Sequence, residues 1–292
     1  MKQTKLYTPV EAVEPGFSIS HSDRLMLIGS CFTENMGHRL TEAGFGTMIN
    51  PFGILYNPLS LATAMSYCLD DRKIGECDLV NRDGLWHSWL HHGSFSRPDM
   101  QDCLDACNES THRAHLFLNE CNTVVVTFGS AWYYVLKEGA TVVGNCHKVP
   151  AAMFEKRLAT VEEVVDTWRP LVERMTERGM RIVFTVSPVR HQAYGAHGNQ
   201  LGKAVLLLAV ERLLSDSGGN LVNCTYFPAF EIIVDELRDY RFYADDLSHP
   251  SALAEQIVWQ RFQQTFMTEA TIAACDEADR ELRRSAHRQL HC

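Results

Sequence analysis

The chain contains no run of about 18 consecutive apolar residues, which excludes a membrane-spanning helix of ordinary length. The Met1 to Pro15 stretch is polar and has no apolar core segment, so no signal peptide is expected. Dense lysine and arginine tracts are also missing, and the net charge is -9, so a nucleic-acid partner would find no electrostatic footprint. No C-x-x-C pair occurs among the ten scattered cysteines, which argues against a zinc ribbon or a thioredoxin-like motif. With no export signal, those cysteines are expected as free thiols in a reducing cytoplasm. No internal repeat or linker is visible. The simplest organisation is one catalytic-size domain over residues 1–267, followed by a peripheral helix or tail over 268–292.

Short apolar runs alternate with helical periodicity. Arg24 to Gly29, Thr123 to Gly129 and Arg181 to Val186 read as buried strands, with further strands expected at Gly46 to Asn50 and Leu221 to Tyr226. Between them, helices are expected over Thr33 to Ala43, Pro58 to Leu69, Asp99 to Glu120, Val161 to Met175 (with a kink at Pro170) and Leu201 to Leu214. A last helix is expected over Pro250 to Met267, with Leu253, Ile257, Val258 and Phe262 turned inward. Trp132 to Cys146 reads as a hairpin, and Cys77 to Pro98 as an irregular aromatic segment. Strand–helix alternation implies an α/β domain with a mostly parallel sheet covered on both faces, and sites at the carboxyl ends of its strands.

One such end, Gly29-Ser30-Cys31-Phe32, leads directly from strand to helix. A hydroxyl there sits beside the free N–H groups and positive dipole end of the first helical turn, a setting that favours an oxyanion. Serine needs a base, and Asp246-Leu-Ser-His249 can present one: Asp246 fixes the imidazole tautomer, and the other ring nitrogen takes the Ser30 proton. Two other readings stay open. Cys31 would be the nucleophile if its helix N-terminus lowered the thiol pKa. A non-catalytic protein could keep the same pocket for a small ligand or partner.

Gly-Ser-Cys-Phe after the first strand and Asp-x-x-His-Pro before the last helix resemble the GSCFA family, which is similar to the SGNH (GDSL-like) esterase superfamily. The tract Asn50 to Pro58, the Trp86-His-Ser-Trp89 segment with His91 and His92, Ser187-Pro-Val-Arg-His191 and Gly202-Lys-Ala204 fit the same resemblance, which covers roughly residues 20 to 265. It implies a flavodoxin-like three-layer α/β/α sandwich and a serine hydrolase or acyltransferase with Ser30, Asp246 and His249 as its triad. The implied substrate is a small-molecule or carbohydrate ester, with O-acetylated sugars one example, and no cofactor is implied. Gly53 matches the second superfamily block. The third block, Gly-x-Asn-Asp, is here Gly129-Ser-Ala-Trp132, so its oxyanion asparagine is missing. The expected oxyanion donors are therefore the backbone of Ser30, Gly53 and Gly129 and an amide from Asn50 or Asn57.

Further candidates line the expected cleft: Trp86, His87, Trp132, Arg190 and His191, with Arg190 suited to a carboxylate or phosphate. His87 and His91 have i, i+4 spacing but no carboxylate partner, so a metal site is not expected. Lys203 is expected as a solvated or snorkelling helix residue.

Overall fold

The computed structural model describes residues 8–215 and 223–289. The first part of the Met1 to Pro15 leader, the start of the strand expected at Leu221, and Cys292 lie outside the described residues.

Among the described residues, ten strands and eight α-helices follow in the order β1 (Arg24–Gly29), α1 (Cys31–Glu42), β2 (Gly46–Ile49), α2 (Pro58–Asp70), β3 (Leu79–Arg82), β4 (Leu85–Ser88), α3 (Met100–Leu118), β5 (Thr123–Phe128), β6 (Trp132–Leu136), β7 (Thr141–Val143), β8 (Phe154–Leu158), α4 (Val161–Glu177), β9 (Arg181–Val186), α5 (Gly195–Ser215), β10 (Cys224–Tyr226), the short α6 (Ala229–Glu231), α7 (Ala252–Phe266) and α8 (Glu269–Gln289). Five strands form one parallel sheet in the order β10-β9-β5-β1-β2. Numbered within that sheet, the order is the flavodoxin-like 2-1-3-4-5, whose switch point falls between β1 and β5.

Both faces of the sheet are apolar because its strands are buried on both sides. On β1, Leu25 and Leu27 pack with Phe32, Met36 and Leu40 of α1 and with Val258 and Phe262 of α7. Met26 and Ile28 pack on the other face, with the apolar sides of α2, α3, α4 and α5. The result is the expected three-layer α/β/α sandwich. A parallel sheet needs those crossover helices, and each is anchored by a local stop or start. Asp99 Oδ1 accepts from the Gln101 and Asp102 amides at the head of α3, and Thr160 with Glu163 forms a capping box on α4.

Two local expectations need correction. The last helix starts after a Ser251 cap, so Pro250 lies outside it, and Leu253 is exposed while Ala254, Val258, Trp259 and Phe262 carry the buried stripe. Shifting that stripe by one residue satisfies the same 3.6 period. The aromatic segment contains the β3-β4 hairpin, whereas the Trp132 hairpin forms as expected from β6 and β7 and is widened by β8 into a three-stranded antiparallel sheet, β7-β6-β8. α8 packs beside the far end of α1, where Cys275 is buried near His21 and Met267, away from the Ser30 end.

Candidate functional site

β1 ends at Gly29 because only a residue without Cβ fits there. Its φ is +150°, and an added Cβ would lie 2.3 Å from the Thr127 carbonyl oxygen of β5 and 2.7 Å from Thr33 Oγ1. This tight crossing at the switch point sets Ser30 on the cap position of α1. A serine there ordinarily caps the helix with its hydroxyl. Ser30 does not: its side chain makes no cap bond, the residue is fully buried, and Oγ has no hydrogen-bond partner. A buried polar group left unpaired costs stability, so its retention calls for another role.

His249 stands on the loop before α7. Its Nδ1 lies 2.5 Å from Asp246 Oδ2, while Asp246 Oδ1 accepts the backbone N–H groups of Ser248 and His249, both at 2.9 Å. Those two amides, followed by the imidazole bond, hold the Asp246 carboxyl down at about 2. Asp246 is therefore an anion across the physiological range, and with Nδ1 committed to it, Nε2 is the ring nitrogen left for chemistry. The loop is tied to the site from two sides. Ser248 O accepts the Arg190 amide at the end of β9, and Glu255 at the start of α7 accepts from Asn35 on α1. Among the described residues, no hydrogen bond joins Ser30 Oγ to His249. The His249 side chain is 49% exposed.

Four of the five expected oxyanion donors, those other than the Ser30 amide, fare differently from one another. Gly53, with φ +72°, donates its amide to Asn50 O at 2.7 Å, closing the turn after β2. The Gly129 amide donates to Tyr56 O at 2.9 Å. Asn57 caps α2, accepting from the Ser60 amide and donating to Ser60 Oγ. These three donors are engaged elsewhere because each sits in a turn that needs its own backbone bonds. Asn50 differs. Its Oδ1 accepts the Gly29 amide at 2.8 Å, and its Nδ2 is buried without a partner. One side chain thus braces the residue before Ser30 and holds a free donor beside it.

The cleft-lining candidates divide. His191 lies at the site: its ring packs edge-on against Tyr56 at 5.4 Å, and its Nε2 is buried without a partner. Burial, then the nearby Lys203 charge, pushes it down to about 4, so it is neutral near pH 7. Arg190 follows the end of β9 and donates from Nε to the Tyr243 hydroxyl. Trp132 is structural, donating Nε1 to Gly198 O and stacking on Tyr194 at 5.4 Å. Trp86 and His87 are carried away on β4: Trp86 packs on Ile74, Leu79 and Leu104, and His87 stacks on His147. No group of three or more His, Cys, Asp or Glu residues that could hold a metal occurs among the described residues.

The Cys31 alternative loses its electrostatic basis, and one expectation about charge is corrected. Burial pushes the Cys31 thiol up, overriding the backbone N–H bonds that would lower it, so the helix N-terminus does not supply a thiolate. Lys203 does not snorkel. It is 2% exposed, and Nζ donates to Gly129 O and Ser187 O, each at 2.6 Å, clamping the carboxyl ends of β5 and β9 together. Desolvation brings the amine down to about 7, and a neutral amine still has the two N–H groups this clamp uses. The signal was present in the sequence, since Lys203 shares the stripe of Leu206, Val210 and Leu213 at i+3, i+7 and i+10.

The chain matches the GSCFA family over residues 24–262. It belongs to the GSCFA family. No curated protein matches this GSCFA chain. Among solved structures, it is similar to a GDSL-like lipase from Bacteroides thetaiotaomicron, at 10% identity and TM-score 0.41, covering 83% of this chain and 87% of that one. A psychrotrophic esterase from Pseudoalteromonas aligns at 8% identity and TM-score 0.38, covering 83% and 96%. A carbohydrate esterase family 3 protein from Talaromyces cellulolyticus aligns at 9% identity and TM-score 0.38, covering 83% and 95%.

Proposed function

We propose that this GSCFA protein is a serine hydrolase or acyltransferase that acts on a small-molecule or carbohydrate ester through an acyl-Ser30 intermediate. The observation that carries the reading is the pairing of an uncapping, unpartnered serine hydroxyl at the sheet's switch point with an Asp246–His249 pair tethered to the same end of α1.

In this reading Ser30 Oγ attacks the acyl carbon while His249 Nε2 takes the hydroxyl proton. Asp246 holds the Nδ1–H and stabilises the imidazolium that forms. The tetrahedral oxyanion meets Asn50 Nδ2 and the amide groups of the first turn of α1. Collapse breaks the ester C–O bond, and the leaving alkoxide receives the proton from His249. Water or an acceptor hydroxyl then attacks the acyl-serine, His249 takes its proton, and Ser30 leaves reprotonated. The Ser30–His249 contact forms in the substrate complex, as catalytic hydrogen bonds are commonly long in the free enzyme. Lys203 positions Gly129 and Ser187 and takes no part in proton transfer. A small-ester substrate needs no cofactor for this sequence of steps.

Hydrolysis of 4-nitrophenyl acetate by the wild type, Ser30→Ala, Cys31→Ala and His249→Ala tests the reading. Turnover lost in Ser30→Ala and His249→Ala but kept in Cys31→Ala is the expected pattern. Turnover that survives Ser30→Ala and disappears in Cys31→Ala contradicts it, as does a wild type with no turnover on any ester.

A further inference from the structure

Beside the His249 loop lies a groove of about 480 Å³ whose walls include Arg190, Gln192, Arg238, Tyr240, Tyr243 and Leu247. It shares a wall with the proposed catalytic loop: Gln192 donates from Nε2 to Ser248 Oγ at 2.7 Å, and the Arg190 amide donates to Ser248 O. A molecule seated here therefore abuts the segment that carries Asp246 and His249.

The groove gathers two arginines and an exposed tyrosine ring in its walls. The protein carries a net charge of -9, and several of its arginines sit on carboxylates, among them Arg174 on Asp70, Arg181 on Asp23 and Arg261 on Glu236. Arg190 and Arg238 have no ion-pair partner among the described residues. Arg190 uses Nε on the Tyr243 hydroxyl and lays its guanidinium 5.6 Å from the Tyr243 ring centre, which leaves its terminal nitrogens free. Arg238 uses Nε on the carbonyl of Asp235, three residues earlier, with the same consequence. The acid in the groove, Asp239, is turned to Arg241 and caps that residue's amide. Tyr240 presents its ring at 77% exposure, a large apolar face next to two unpaired forks. Arginine forks recognise carboxylate and phosphate oxygens in pairs, and an exposed aromatic ring beside them offers a flat surface for a sugar or aryl ring.

We propose that this groove is the subsite for an anionic group on the ester substrate, a carboxylate or phosphate held by Arg190 and Arg238, with the ring that bears it lying on Tyr240. The inference rests on the hydrolase reading for its place in catalysis. The binding itself needs no turnover.

Calorimetric titration with glucuronate, inorganic phosphate and glucose separates the cases. Either anion binding the wild type at least roughly tenfold more tightly than glucose, and losing that advantage in the Arg190→Gln/Arg238→Gln variant, is the expected result. Glucuronate against phosphate then tells a carboxylate from a phosphate ligand. No anion binding, binding unchanged in the double variant, or glucose binding as tightly as glucuronate would overturn the proposal.

A second arm compares kcat/KM for 4-nitrophenyl hydrogen succinate with that for 4-nitrophenyl butyrate. A wild-type preference for the charged ester that collapses toward unity in the double variant supports the subsite. A ratio unchanged by the double substitution counts against it. Failure to turn over either ester contradicts the hydrolase reading alone, and the titration then decides the groove.

Discussion

Asp246 Oδ2 lies 2.5 Å from His249 Nδ1, and the same carboxylate collects two backbone amides of its own loop on Oδ1. The three bonds fix the ring's tautomer and angle without help from the substrate. Asp246→Asn keeps the size of the side chain, but its amide can place a donor opposite Nδ1 and favour the wrong tautomer. In an ester assay, this variant is expected to lose roughly a thousandfold or more in kcat with little change in thermal midpoint, because both residues are about half exposed.

Asn50 splits a structural role from a chemical one in a single side chain. Asn50→Asp keeps the acceptor for the Gly29 amide and removes the unpartnered Nδ2 donor. The backbone there has φ +43°, a region aspartate tolerates nearly as well as asparagine. The expected outcome is a fall in kcat of about 10²- to 10³-fold with KM little changed, the pattern of a lost oxyanion donor. Asn50→Ala, which removes both functions, is expected to lose stability as well.

Gly29→Ala tests the crossing that sets Ser30. The new methyl would meet the Thr127 carbonyl at 2.3 Å in a backbone region that disfavours side chains. Strain and overpacking together are expected to cost at least about 3 kcal/mol in denaturant unfolding.

Lys203 predicts a particular dependence of stability on pH. Its amine is brought down to about 7 in the folded protein, below its value in the unfolded chain. Between those two values the unfolded state holds more protons, so stability rises as pH rises through the window, and the penalty is fully present below about 7. Wild-type unfolding free energy is expected to gain on the order of 2 kcal/mol from this group between pH 7 and 9. The gain is absent in Lys203→Met, measured by urea unfolding at both pH values.

Much of this arrangement was legible from local sequence. The apolar run Arg24 to Gly29 with Ser30 behind it, and Asp-x-x-His before a helix, are short-range patterns, and the parallel sheet follows from strand–helix alternation. The rest depends on contacts between distant segments. The amides of Gly53, Gly129 and Asn57 look free in sequence, but they are used by turns and caps that close only in the fold. β8, Phe-Glu-Lys-Arg-Leu, is apolar only at its ends and becomes a strand because β6 offers it an edge. Trp86 and His87 share the aromatic tract with residues near Gly53, yet the β3-β4 hairpin turns them outward to other neighbours. The burial of Lys203 could be read from its stripe, but the acceptors Gly129 O and Ser187 O that make a buried amine tolerable come from strand ends far away in sequence.

Catalysis as proposed stands on Ser30 as the nucleophile and His249 as its base. Labelling the purified protein with a fluorophosphonate and mapping the adduct by peptide mass spectrometry tests it most directly, since the probe bonds its phosphorus to an activated hydroxyl with loss of fluoride. One adduct is expected, on Ser30, and it disappears in both Ser30→Ala and His249→Ala. An adduct that persists in Ser30→Ala, or one on Ser30 that forms equally fast in His249→Ala, would contradict it.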